Sequence, residues 1–106
     1  MGETILLERT RQLLEEAPLA GQDLDSKVRH LLGTEYVHRL GQYRRADRLL
    51  AQKYGMSFDE FLTNKVAREK GYTWDVESDA MEWETAISGM KTIERKLVEL
   101  HEESHV

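Results

Sequence analysis

Lys53-Tyr-Gly-Met-Ser-Phe-Asp-Glu-Phe-Leu62 is the stretch that decides the fold of this chain. Glycine at 55 supplies the left-handed residue that commonly ends a helix. Ser57-Phe-Asp-Glu60 then has the form of a capping box: the Ser57 hydroxyl accepts from the Glu60 amide while the Glu60 side chain accepts from the Ser57 amide. Met56 and Phe61 stand at the two positions of a hydrophobic staple across the same turn. One helix therefore stops and another starts around a tight turn, which makes the chain a set of helices joined by short connections.

Upstream, apolar residues recur at Leu32, Tyr36, Leu40, Tyr43, Leu50 and Tyr54, close to the spacing of a coiled-coil seam. Asp47 interrupts the seam. Buried, it needs a cation such as Arg44 or Arg48, or an amide donor, and sets the register; turned to solvent, it needs nothing. Gly33 and Gly41 lie inside the pattern, each costing about 1 kcal/mol against alanine in a helix interior. They admit a neighbouring helix, or Gly33 marks a kink or break, and a helix is expected from Thr34 onward. Before it, Asp25 stands as an N-cap ahead of Val28, Leu31 and Leu32. A short N-terminal helix is expected over 3–16, followed by a linker at 17–24 where Pro18 and Gly21 interrupt the ladder.

Downstream, the helix starting at Phe58 is expected to bury Phe61, Leu62 and Val66 and to stop at Lys70-Gly71, closing a helical body of residues 25–71. An aromatic acidic segment at 72–78 reads as a short extended piece, with Ser78 or Asp79 capping a long helix at 79–103. Its seam is Ala80, Trp83, Ile87, Met90, Ile93, Leu97 and Leu100. Twenty-five residues of helix span ~38 Å, more than the first three helices would cover, so a second copy is expected against part of it. The expected fold is all-α, a single domain of four or five helices with two long antiparallel seams, forming a helical-bundle or coiled-coil-like homodimer.

Composition agrees with that class. The 106 residues contain one proline, seven glycines and 33% charged side chains, too few turn formers for a sandwich or barrel. With no cysteine there is neither a disulfide frame nor thiolate chemistry. The N-terminal apolar run breaks after three residues, no run reaches membrane-spanning length, and a cytoplasmic location is expected. Charge is uneven: residues 1–53 carry nine Lys/Arg and eight Asp/Glu, residues 54–106 six and twelve. A basic stripe upstream and an acidic arm downstream suit two partners, two copies meeting head to tail, or plainly solvated faces.

No catalytic constellation, cofactor loop or metal site emerges. His101-Glu-Glu-Ser-His105 matches the zincin pattern but sits at the polar end of the chain with one residue after it and no third ligand. A small metal-dependent hydrolase would need those histidines. His30 and His38 are two turns apart and read as surface or core-edge residues. Arg39, Arg44, Arg45, Arg48 and Lys53 could attract phosphate, but no aromatic platform accompanies them and the chain is acidic, so nucleic-acid binding by this protein alone is not expected. Pairing with Glu35, Asp47 and the acidic segment is the expected use of these cations.

Tyr72-Thr-Trp-Asp-Val-Glu-Ser-Asp-Ala-Met-Glu-Trp-Glu84 carries five acids, two tryptophans and no base. Rings supply contact area and carboxylates supply sign, which suits a surface for a macromolecular partner. The same aromatics could instead close the core. Together with Lys53–Leu62, Lys70–Glu77 and Ala80–Glu84, this segment resembles the small helical antitoxin-type proteins encoded beside prokaryotic toxins. That resemblance covers about half the chain and implies a dimer laying an acidic arm into the groove of a basic, toxin-like nuclease. Tyr72, Trp74, Asp75, Glu77, Asp79, Glu82, Trp83 and Glu84 are then the expected partner-binding residues. Such proteins often carry an N-terminal DNA-binding fold, and residues 1–35 show none. The opposing reading is a self-contained structural homodimer.

Overall fold

A computed structural model of the chain describes residues 6–19, 21 and 23–103. Residues 3–5 of the expected first helix and His105 of the zincin-like pattern lie outside the described residues. Among those described, five helices are present and no strand: α1 (Glu8–Glu16), α2 (Leu24–Tyr54), α3 (Phe58–Thr63), α4 (Val66–Glu69) and α5 (Trp74–Glu103). No helix is long and apolar enough to cross a membrane among them. Backbone proximity divides the chain into two units, residues 1–35 and 36–106.

The first unit holds α1 and the start of α2, and among its described residues no apolar side chain is buried. Its one buried residue among those described is Lys27, whose Nζ donates to the carbonyls of Leu14 at 2.8 Å and Glu15 at 2.6 Å. Those carbonyls belong to the last turn of α1. The Leu14 carbonyl also accepts from the Ala17 amide at 3.2 Å, but both carbonyls carry the negative end of the helix dipole, so a cation is the favoured cap. Arg11 adds ion pairs to Glu8 and Glu15 on the exposed side. Leu7, Leu13, Leu31 and Leu32 remain exposed. The N-cap of α2 is Asp23, not Asp25: Asp23 Oδ2 accepts from the Ser26 amide at 3.1 Å, and the Asp23 carbonyl accepts from the Lys27 amide at 3.2 Å. Asp25 lies inside the first turn, and α2 runs unbroken through Gly33.

In the second unit the two seams meet within one chain. Tyr54 hydrogen-bonds Asp79, Asp47 receives the Trp83 indole, Tyr43 lies over Gly89, and Arg44 reaches Glu94 at 3.7 Å. Partner numbers rise on α5 as they fall or level on α2, so the pair is antiparallel. Gly89 permits the close packing: a Cβ there would lie 2.5 Å from the Tyr43 ring, whereas a Cβ at Gly41 would meet nothing within 4 Å. The glycine that admits a neighbour is thus on α5.

Both ends of the turn region are built as the residues dictate. Gly55 (φ 67°) and Gly71 (φ 73°) end α2 and α4 in left-handed geometry, with the Met56 amide donating to the Ala51 carbonyl and the Tyr72 amide to the Ala67 carbonyl, the long bond of a Schellman closure. The Ser57–Glu60 capping box is present in both directions at 3.1 Å. Its helix is shorter than expected, because Lys65 turns left-handed at φ 53° and separates α3 from α4. Phe61 and Val66 are buried, whereas Leu62 faces solvent. The segment at 72–78 is not extended: Thr73 caps α5, its carbonyl accepting from the Glu77 amide at 3.0 Å and its hydroxyl from the Val76 amide at 3.4 Å. The last helix consequently starts at Trp74, ahead of Ser78 and Asp79.

Lys27 generates a prediction. Lys27→Met keeps most of the stem but removes the cation from both carbonyls, leaving Leu14 only the Ala17 amide, so hydrogen–deuterium exchange of α1 amides should accelerate at least tenfold, the equivalent of about 1.4 kcal/mol. Amides of α3 and α5 should keep their protection. Equal acceleration throughout, or none in α1, contradicts the assignment.

Candidate protein-binding face

The core of the second unit decides which aromatics remain outside. Trp83 is 0% exposed and Phe61 1%, packed with Leu50, Val66 and Val76 and flanked by Tyr54, Met56, Phe58 and Ile87. Ring centroids of Trp83 lie 5.2 Å from Phe61, 5.3 Å from Phe58 and 5.9 Å from Tyr54, distances at which aromatic pairs add to simple burial. The indole Nε1–H donates to Asp47 Oδ1 at 2.8 Å. Asp47 therefore stands on the seam as the acceptor for a buried tryptophan, and among the described residues it pairs with no cation.

One turn before Trp83, Asp79 Oδ2 accepts from Lys53 Nζ and from the Tyr54 hydroxyl, both at 2.6 Å. Burial raises the Asp79 pKa, but the two hydrogen bonds and the lysine charge outweigh it and hold the carboxyl below its ordinary value. The hydrogen bond to Asp79 in turn raises Lys53. Burial and the neighbouring carboxylate push the Tyr54 phenol up to about 12.

Trp83 and Asp79 thus leave the expected partner-binding set, since one is enclosed and the other is occupied. The remaining six are at the surface. Tyr72 is 58% exposed and Trp74 77%, and Asp75, Glu77, Glu82 and Glu84 are exposed. Helical periodicity places Trp74 and Trp83 on opposite sides of α5, and it aligns Trp74, Glu77, Met81 and Glu84 on the outward side. Met81, 67% exposed, joins this side and is not among the residues expected from the sequence. The available signal was its position two turns beyond Trp74 and off the Ala80–Trp83–Ile87 seam. Asp75 and Glu77 also complement the positive end of the helix, but Glu82 and Glu84 lie beyond the first turn, where the dipole no longer acts.

Of the cations, Lys53 pairs with Asp79 and Arg44 with Glu94, which accounts for part of the basic stripe. An open groove of about 540 Å³ beside Arg39, Tyr43, Gly89 and Lys96 brings no nucleophile–base pair together. No group of three His, Cys, Asp or Glu side chains is placed to hold a metal among the described residues. No protein-family model, curated protein or solved structure matches this chain.

The Asp79 clamp carries a pH signature. A lowered folded-state pKa means that its contribution is present above the ordinary aspartate value of 3.8 and is lost as pH falls through the lower folded value. At the alkaline end the unfolded chain releases the tyrosine proton near 10 while the folded chain keeps it to about 12, so stability falls across that interval, and Lys53 acts in the same direction. Urea unfolding should show a gap between wild type and Asp79→Asn that is level at mid pH and closes at both extremes. A gap independent of pH contradicts the clamp.

Proposed function

We propose that the protein is a non-catalytic binding module that engages and neutralises a basic protein through the outward face of α5, in the manner of an antitoxin against a toxin-like nuclease. The observation that carries this reading is Trp74, 77% exposed, beside Met81, 67% exposed, with Glu77 and Glu84 on the same face. Two large apolar side chains held in water on a well-formed helix gain free energy when covered. Carboxylates around them select a basic surface and speed its capture. Tryptophan, the side chain most enriched at binding hot spots, is the anchor. Tyr72, Asp75 and Glu82 extend the face at its edges.

The test uses the product of the adjacent gene as the partner. Wild type should bind it and suppress its activity, with affinity falling as salt rises because the rim charges are screened. Trp74→Ala should weaken binding by about 2 kcal/mol, near thirtyfold, while changing folding stability by less than ~0.5 kcal/mol. Glu77→Gln with Glu84→Gln should flatten the salt dependence. Wild-type binding indifferent to all three substitutions contradicts the proposal, as does a neighbouring product that wild type neither binds nor inhibits.

A further inference from the structure

The outward side of α2 in the second unit is the electrostatic counterpart of the α5 face. Opposite the seam residues Leu40, Tyr43, Asp47 and Leu50, helical periodicity sets Val37, Gly41, Arg45, Arg48 and Leu49 toward solvent. Val37 is 60% exposed and Leu49 52%, and both arginines are exposed. Neither Arg45 nor Arg48 has an ion-pair or hydrogen-bond partner among the described residues. At Gly41 the ground is open, with nothing within 4 Å of where a Cβ would stand, so a docking helix would meet bare backbone there. Each face is therefore a pair of exposed apolar side chains with charge of one sign, and the signs are opposite.

We infer that this chain self-associates head to tail, the Trp74–Glu84 face of α5 in one copy docking on the Val37–Leu49 face of α2 in the next. Like faces repel: α5 against α5 opposes Glu77 and Glu84 to themselves, and α2 against α2 does the same with Arg45 and Arg48. Unlike faces place carboxylates on arginines that lack partners and cover Trp74 and Met81 with Val37 and Leu49. Glu84 lies at the rim of the groove beside Arg39 and Tyr43, but Trp74 and Met81 on one helix and Val37 and Leu49 on the other lie away from the α2–α5 seam, so the two faces are centred on opposite sides of the helix pair. A contact between unlike faces on opposite sides is heterologous, and it adds copies in sequence instead of closing as a twofold dimer. The inference stands without the basic partner proposed above, although that partner would compete for the same α5 face.

Sedimentation of the full chain from micromolar to hundreds of micromolar in low salt tests it. Wild type should show a mass that keeps rising with concentration and falls back in high salt. Glu77→Arg with Glu84→Arg, and separately Arg45→Glu with Arg48→Glu, should each weaken association at least tenfold, since each leaves both faces with one sign. Mixed in equal amounts, the two variants present opposite faces again and should recover association. Circular dichroism of each variant, and the milder Glu77→Gln with Glu84→Gln, keep a folding defect from passing as a result: the neutral pair should weaken association by less than the reversed pair. A wild type that stays monomeric, a salt-indifferent twofold dimer, or variants that associate like wild type or fail to recover on mixing overturns the inference.

Discussion

The hydrogen bond from the Trp83 indole to Asp47 is the constraint on which the second unit depends. Two helices with apolar seams can slide past one another by a turn at modest cost, because one leucine fills the place of another. A buried indole N–H cannot, since it must find its acceptor or lose a hydrogen bond to water without replacement. The acceptor lies 36 positions away in sequence on α2. Once these two atoms meet, the register of α2 against α5 is set, and Tyr54 falls opposite Asp79 and Tyr43 opposite Gly89.

That register also determines what the protein shows to water. With Trp83 turned inward among Tyr54, Phe58 and Phe61, periodicity turns Trp74 and Met81 outward. The same acids that looked uniform in sequence divide into an occupied one, Asp79, and exposed ones. The exposed face is a by-product of packing: the core takes one tryptophan and so presents the other. The first unit follows a different logic, in which Lys27 capping the end of α1 holds what few apolar contacts would hold elsewhere.

Signals are legible in the sequence where the chemistry is local. The capping box at Ser57–Glu60 and the closures at Gly55 and Gly71 act over a few residues, and the sequence alone contains every atom they need. The seams were legible for the same reason, as periodic patterns within single helices. Long-range partners were not: nothing near Asp47 names Trp83, and nothing near Asp79 names Lys53 and Tyr54. The left-handed Lys65 carries no glycine to announce it, so α3 and α4 read as one helix. Alternation of large and polar residues at 72–76 suggested an extended piece, but Thr73 can cap, and the aligned helix behind it was the stronger influence. Sequence groups Trp74 with Trp83 because proximity along the chain conceals a half-turn of rotation between them.

The opposite roles of the two tryptophans are the central claim, and quenching of their fluorescence tests it most directly. The chain has two tryptophans, so Trp74→Phe leaves Trp83 alone and Trp83→Phe leaves Trp74 alone. Acrylamide titration of the folded Trp74→Phe protein should find a blue-shifted emission that is barely quenched. Trp83→Phe should emit to the red and quench nearly as free indole does, and denaturant should abolish the difference between them. Equal quenching of the two folded variants, or a readily quenched Trp83 in a fully helical Trp74→Phe protein, would contradict the account.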